Sequence, residues 1–247
     1  MQDGSSRRVK HDCGDDRVLA VKRDGPKLTA WCFRCNEGGS HVIQEPIEVR
    51  IQRLAKQGRA DELLRRLSAV PEGITDFAEW PPAARLWFAR AGLHGGDAGR
   101  MGARYDPQAG RVVLPCGGGF WQARALSKGQ LPKYLAPDVD KVYPTFGVAQ
   151  RITLTEDILS AYKVGQVGEG WCMLGTSLPP ELLARILRSG KAVNVWLDND
   201  KGAINRGQVA ARKVLKALRA AGVECRNICT EQDPKLTFYS IIKELVS

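Results

Sequence analysis

No stretch of this sequence approaches the roughly 20 consecutive apolar residues that a membrane-spanning helix needs, and no apolar leader opens it. A membrane partner is therefore not expected. The seven cysteines cannot all pair, being odd in number, so a disulfide framework is not expected either. Together these absences read as a reducing, cytoplasmic protein whose clustered cysteines bind metal. No GxxxxGK[ST] occurs, so nothing in the chain reads as a P-loop.

What is present is a globular composition, 43% hydrophobic over 247 residues, enough for one large domain or two small ones. A formal charge of +10 favours a polyanionic partner such as nucleic acid. Residues 46–150 carry +5 of it, which makes the middle of the chain the better place for a phosphate-binding face.

Three segments follow one another. Up to about Ser40, VLAVKRDGPKLTAWCFRC reads as a small β-ribbon around the turn Asp24-Gly25-Pro26. From Pro46 to Gly92 the pattern is helical: Ile47, Ile51 and Leu54 recur at helix spacing before Gly58, ADELLRRLSAV reads as a second short helix, and PPAARLWFARAG as a third with Trp87 and Phe88 in the core. ARY, RVVLP and GFWQARAL then suggest a small antiparallel sheet, and SKGQLPKYLAPDVDKVYPTFG carries bases and aromatics among turn residues. The last hundred residues alternate strand and helix, from RITLTE and DILSAYKVG to VECRNIC and PKLTFYSIIKELV. That alternation predicts a mainly parallel sheet covered on both faces, with ligands at the carboxyl ends of its strands.

Those strand ends are acidic. KAVNVWLDND delivers Asp198 and Asp200, two residues apart and so aimed the same way on an extended backbone. Glu156 ends RITLT, and Asp233 follows VECRNIC in the loop EQDPKL. Carboxylates gathered this way repel unless a metal ion, a basic side chain or water lies between them. Four of them on one rim suit Mg²⁺ or Mn²⁺. Asp157, next to Glu156, would point elsewhere on a helix.

Near the N-terminus, Cys32 and Cys35 form CxxC, with Cys13 18 intervening residues upstream. Two knuckles joined by a hairpin are how a zinc ribbon surrounds tetrahedral Zn²⁺. His11 shares a knuckle with Cys13 and is the first choice of fourth ligand, with His41, Asp15 and Asp16 as alternatives. Cys116, Cys172, Cys225 and Cys229 read as packing residues. Trp31, Phe33 and Arg34 flank the knuckle, where they would either stack on unpaired bases or build the ribbon itself.

The order Glu156, Asp198-Asn199-Asp200, Asp233 resembles the TOPRIM fold of DnaG-type primases, topoisomerases and some nucleases, over about residues 151–247. The cysteine segment resembles the primase-type zinc ribbon, and LPKYLAP resembles the PKYL stretch of the same family. The resemblance implies an α/β chain: a zinc ribbon over 1–40, a helical linker over 41–92, a basic N-terminal part of an RNA polymerase domain over 93–150, and a TOPRIM domain over 151–247. It implies a stand-alone primase of a phage or mobile element, acting in the host cytoplasm. Such an enzyme would make RNA primers from NTPs on a single-stranded DNA template, with any helicase supplied by another chain. One Mg²⁺ on Glu156 and Asp198 would activate the attacking hydroxyl, and a second near Asp200 and Asp233 would hold the triphosphate. Lys133, with Arg124 and Lys128 as neighbours, would neutralise nucleotide or template phosphates, and Trp31 and Arg34 would read the template. The sequence departs from the family at Ser160, where primases often carry a further acid. The alternatives are a TOPRIM nuclease and a non-catalytic zinc/TOPRIM binding module.

Overall fold

A computed structural model of the chain describes residues 1, 4–24, 27–42, 47–65, 69–127, 129–199 and 205–247. The chain divides into two compact units, Met1–Leu64 with Pro81–Ala83, and Arg65–Trp80 with Ala84–Ser247.

The first unit holds an antiparallel sheet of four strands in sequence order: β1 (Ser6–His11), β2 (Gly14–Asp24), β3 (Lys27–Cys32) and β4 (Gly38–Val42). Its largest interior side chains are few, with Cys32 wholly buried and Trp31, Phe33 and Val42 exposed. Such a sheet has little apolar core to hold it. It is followed by α1 (Ile47–Arg65). The two short helices expected on either side of Gly58 are one continuous helix. A glycine inside a helix costs only about 1 kcal/mol relative to alanine, and the flanking Ala, Lys, Gln and Arg are good helix formers.

The second unit takes in α2 (Pro82–Arg90) from Ala84 on, burying Ala84 and Phe88, and a short α3 (Gly95–Arg100) that periodicity does not reveal. What makes α3 is a cap: Asp97 accepts from the His94 backbone N–H at 2.9 Å and from Arg100 at 2.6 Å. An antiparallel sheet follows, in the order β5 (Arg104–Asp106), β6 (Arg111–Gly117), β7 (Phe120–Ala125) and β8 (Tyr134–Leu135). The tight β6–β7 turn needs φ of +95°, +57° and +79° at Gly117, Gly118 and Gly119, values that favour glycine.

The C-terminal part contains β9 (Thr145–Gly147), β10 (Arg151–Thr155), α4 (Ile158–Gly165), β11 (Glu169–Cys172), α5 (Pro180–Ser189), β12 (Ala192–Val195), α6 (Arg206–Ala220), β13 (Cys225–Asn227) and α7 (Tyr239–Val246). Its five strands lie in the order β13-β12-β10-β11-β9, parallel except for β9. The middle strand is thus β10, with β12 beside it. Period-two alternation explains the layering. Ile152, Leu154, Val193, Val195 and Leu197 pack with Leu182, Ile186, Val214 and Leu218 of α5 and α6. Trp196, from the opposite face, packs with Val164 of α4 and Ile242 and Val246 of α7. The expected helix PKLTFYSIIKELV is interrupted. Pro234–Leu236 forms a single 3-10 turn, and Phe238 is extended before α7 begins. Cys172 is buried and Cys116 and Cys225 partly so, but Cys229 is exposed and does not serve packing.

One close approach sets the position of the acidic strand end. A Cβ on Gly207, in the first turn of α6, would lie 1.9 Å from the Asp198 carbonyl oxygen. Backbone on backbone cannot yield without shifting the helix. Gly207→Ala is expected to destabilise the second unit by about 1–3 kcal/mol, read as a fall in the urea midpoint with unchanged slope.

Candidate functional site

The N-terminal cysteines do come together. His11 Nδ1 lies 3.1 Å from Cys13 Sγ and 3.6 Å from Cys35 Sγ, Cys13 and Cys32 sulfurs are 3.4 Å apart, and all four donors fall within 4.8 Å of one another. A tetrahedral zinc with bonds of about 2.3 Å to sulfur and 2.0–2.1 Å to nitrogen has edges of roughly 3.5–3.8 Å. The set could hold that ion through His11 Nδ1 and three thiolates. Two turns build it. His11–Gly14 closes the β1–β2 connection, and Asn36 at φ +58° lets the chain double back after Cys35 so that Cys32 N–H meets the Glu37 carbonyl at 2.8 Å.

Backbone N–H groups of Cys35 and Arg34 stabilise the Cys32 thiolate and lower its pKa to about 6. Burial, together with the neighbouring Cys32 and Cys35 sulfurs, pushes Cys13 up to about 11. Asp16, an alternative ligand, is paired instead with Arg34 at 2.6 Å. His41 sits opposite Leu28 in the β3–β4 register, four residues up the strand from Cys32. Asp15's side chain lies outside the described residues. Arg34 is thus occupied within the ribbon, whereas Trp31 (46% exposed) and Phe33 (59%) present their rings outward.

The second unit gathers carboxylates from three adjacent strands. Glu156 directly follows β10, Asp198 lies three residues past β12, and Asp233 lies in the loop after β13. Asp200 is outside the described residues, as is Lys128. The Glu156 backbone is fixed by its carbonyl, which accepts from Gly175 N–H at 3.0 Å. Asn199 ties the strand end across to the Thr230 carbonyl at 2.9 Å, and Asn205, the N-cap of α6, donates to Asn199 at 2.5 Å. Neither asparagine carries a motif that marks it for this task.

A basic side chain stands among these acids. Lys235 Nζ lies 2.8 Å from Asp157, 2.8 Å from Asp233 and 3.8 Å from Asp198. The expectation that Asp157 points away is overturned. As N-cap of α4 it accepts from the Ser160 N–H and hydroxyl, both at 3.0 Å, and this turns its carboxylate toward Lys235. Ser160 serves that cap. Burial would lower the Lys235 pKa, but Asp157 and Asp198 outweigh it and raise it above the ordinary lysine value. Asp198 is pushed up to about 7 by burial and by Asp233, Glu156 and Asp157, against the pull of Lys235. Like charges about 4 Å apart at an effective dielectric near 20 repel by about 4 kcal/mol. One ammonium, 3.8 Å away, therefore compensates Asp198 only in part.

A cationic ledge adjoins this rim. Arg124 and Tyr134 face each other in the β7–β8 register, with the guanidinium 5.0 Å and Lys133 Nζ 5.4 Å from the ring centre. Burial raises the Tyr134 pKa, and the charges of Asp157, Arg124, Lys235 and Glu156 all reach it. Arg124 Nε and Nη1 are buried, and among the described residues neither finds a hydrogen-bond partner. Buried guanidinium N–H groups left over beside a strong cation suit phosphate oxygens.

Compared with protein-family models and with curated proteins, the chain matches none.

Two measurements follow from this geometry. Folded Asp198 keeps its proton to about pH 7, whereas an unfolded aspartyl releases it near 3.8, so the metal-free fold loses stability as pH rises through that window. The loss is at most about 4 kcal/mol, and Asp198→Asn should remove it in urea titrations from pH 4 to 8, as should saturating Mg²⁺ in the native chain. Separately, the purified chain should carry one zinc, and Cys32→Ser or a chelator should expose the β1–β4 amides to hydrogen exchange while those of β10 and β12 stay protected.

Proposed function

We propose that the chain is a DNA primase of the zinc-ribbon and TOPRIM kind, making short RNA primers from NTPs on single-stranded DNA. The observation that carries this reading is Tyr134, which has Arg124 and Lys133 against its ring and lies within electrostatic reach of Glu156, Asp157 and Lys235. Phosphate-binding cations and metal-binding carboxylates are what a nucleotidyl transfer needs within one nucleotide's length. The motif order over 151–247 and the four-donor cluster of the ribbon support it.

In this reading a primer or first-nucleotide 3′-hydroxyl oxygen attacks the α-phosphorus of an NTP. A new oxygen–phosphorus bond forms, the bond to pyrophosphate breaks, and the hydroxyl proton passes to solvent. A divalent cation, when bound, acidifies that hydroxyl and balances charge at the α-phosphate. Glu156 and Asp198 would hold it, with Asp200 contributing from outside the described residues. Arg124 and Lys133 would grip the β- and γ-phosphates, and Tyr134 fixes the guanidinium plane by cation–π contact. Trp31 and Phe33 would stack on unpaired template bases, which gives the ribbon its part in choosing the start site.

Lys235 favours a second reading. A rim partly neutralised by its own lysine resembles what a non-catalytic zinc/TOPRIM binding module would need. The two are separated by incubating the chain with Mg²⁺, labelled NTPs and a panel of single-stranded DNAs. Primase predicts short RNA products, abolished in Asp198→Ala and reduced at least about 100-fold in Arg124→Ala or Lys133→Ala, with two charge-assisted phosphate contacts at stake. DNA binding without synthesis on any template supports the module, and metal-dependent loss of the DNA supports a nuclease.

A further inference from the structure

On the α5–α6 side of the sheet, a groove of about 380 Å³ runs between α6 and the loop that leads into α5. Leu178 of the loop and Ala210 of the helix pack on the same aliphatic core beneath it. Thr176 and Ser177 bring exposed hydroxyls from the loop, and Arg206 and Lys213 bring exposed cations from the helix. Among the described residues, none of these four side chains makes a hydrogen bond or ion pair. The groove starts at the acidic strand ends. Thr176 follows Gly175, whose N–H bonds to the Glu156 carbonyl at 3.0 Å, and Gly207, next to Arg206, presses against the Asp198 backbone.

Charge, and what the groove lacks, decide what fits it. α6 carries Arg206, Arg212, Lys213, Lys216 and Arg219 and no acidic residue. None of the exposed large apolar side chains among the described residues lines the groove, so it offers no anchor pocket for a protein segment. Arg206 and Lys213 stand about 10 Å apart along the helix axis. That is too far for one phosphate group to meet both, and it suits successive phosphates of a chain. Hydroxyls on the facing wall add donors for the same backbone oxygens. The volume is that of a small-molecule pocket, with room for a nucleotide unit of one strand and not for a double helix. We propose that this groove binds single-stranded nucleic acid by its phosphates, as a track leading away from the acidic strand ends. No aromatic side chain lines it, so it does not stack bases and its binding is indifferent to sequence. This rests on the reading of the chain as one that acts on nucleic acid, and it needs no metal at the rim.

The test follows the fluorescence anisotropy of a labelled oligo-dT on the zinc-loaded full chain, from about 50 to 300 mM NaCl without added Mg²⁺. Arg206→Ala/Lys213→Ala is compared with Arg212→Ala/Arg219→Ala, which removes the same charge from the same helix outside the groove. The groove pair should weaken binding at least about 10-fold at low salt. It should also flatten the slope of log K against log[NaCl] by roughly 1.4, two contacts at about 0.7 each. The outer pair should change the slope by less than half as much, and Arg206→Lys/Lys213→Arg should restore native binding. All four positions are exposed, so an unchanged urea midpoint certifies the fold. Equal slope changes in the two pairs, an unchanged slope in the groove pair, or no binding by the native chain overturns the inference. So does poly-glutamate binding that depends on the groove pair when oligo-dT binding does not, which would assign the groove to an acidic protein segment. Groove-dependent binding without primer synthesis would sink the primase reading alone. Primer synthesis with a slope indifferent to the groove would sink this inference alone.

Discussion

The repulsion among carboxylates at the carboxyl end of a parallel sheet is the constraint around which the second unit is arranged. Strands β10, β12 and β13 run the same way, so their ends must open onto one rim, and Glu156, Asp198 and Asp233 stand there. Left alone, such a rim is destabilising. Lys235 relieves it on one side, Asp157 is recruited to hold Lys235, and Lys163 anchors the lysine's backbone from beneath. On the other side Asp198 meets Lys235 only at 3.8 Å, and burial with the neighbouring acids holds its carboxyl well above the usual range.

The two faces of the sheet serve this rim differently. Under α5 and α6 the core is aliphatic and tight, and Gly207 lets α6 press against the Asp198 backbone. Toward α4 and α7 the strand end is fixed by polar links instead, Trp196 to the Thr230 hydroxyl at 2.8 Å and Asn199 to its carbonyl. Rigid support on one side and directional bonds on the other hold a short acidic segment in register. The cationic ledge of β7 and β8 completes the arrangement: Arg124 lies against Tyr134, and its buried Nε and Nη1 find no hydrogen-bond partner among the described residues. The N-terminal sheet follows the opposite economy: it has almost no apolar interior, and four donors stand close enough together that they could close around one ion.

Much of this was legible in the sequence. CxxC with Cys13 upstream, strand and helix alternation after Arg151, and acids after apolar runs are local signals, and each led to the right element. Continuity of α1 through Gly58 was not legible, because a glycine inside a helix and one that ends it look alike without tertiary context. α3 was missed because six residues carry no period, only a capping aspartate. Lys235 could have been suspected: a lysine two residues past an acidic ligand, behind a proline that fixes the turn, is well placed to fold back. Asp157 was misjudged because its helix numbering was followed where its capping role decided. The Arg124 guanidinium's unmet N–H groups depend on how β7 and β8 close over it, which no spacing encodes.

The most direct measurement is anomalous scattering from Mn²⁺-soaked crystals of the full chain. The account expects manganese at about 2.2 Å from oxygens of Glu156 and Asp198, with Lys235 Nζ still between Asp157 and Asp233. A peak on Asp157 and Asp233 with the lysine displaced, or no peak on the rim at all, would contradict it.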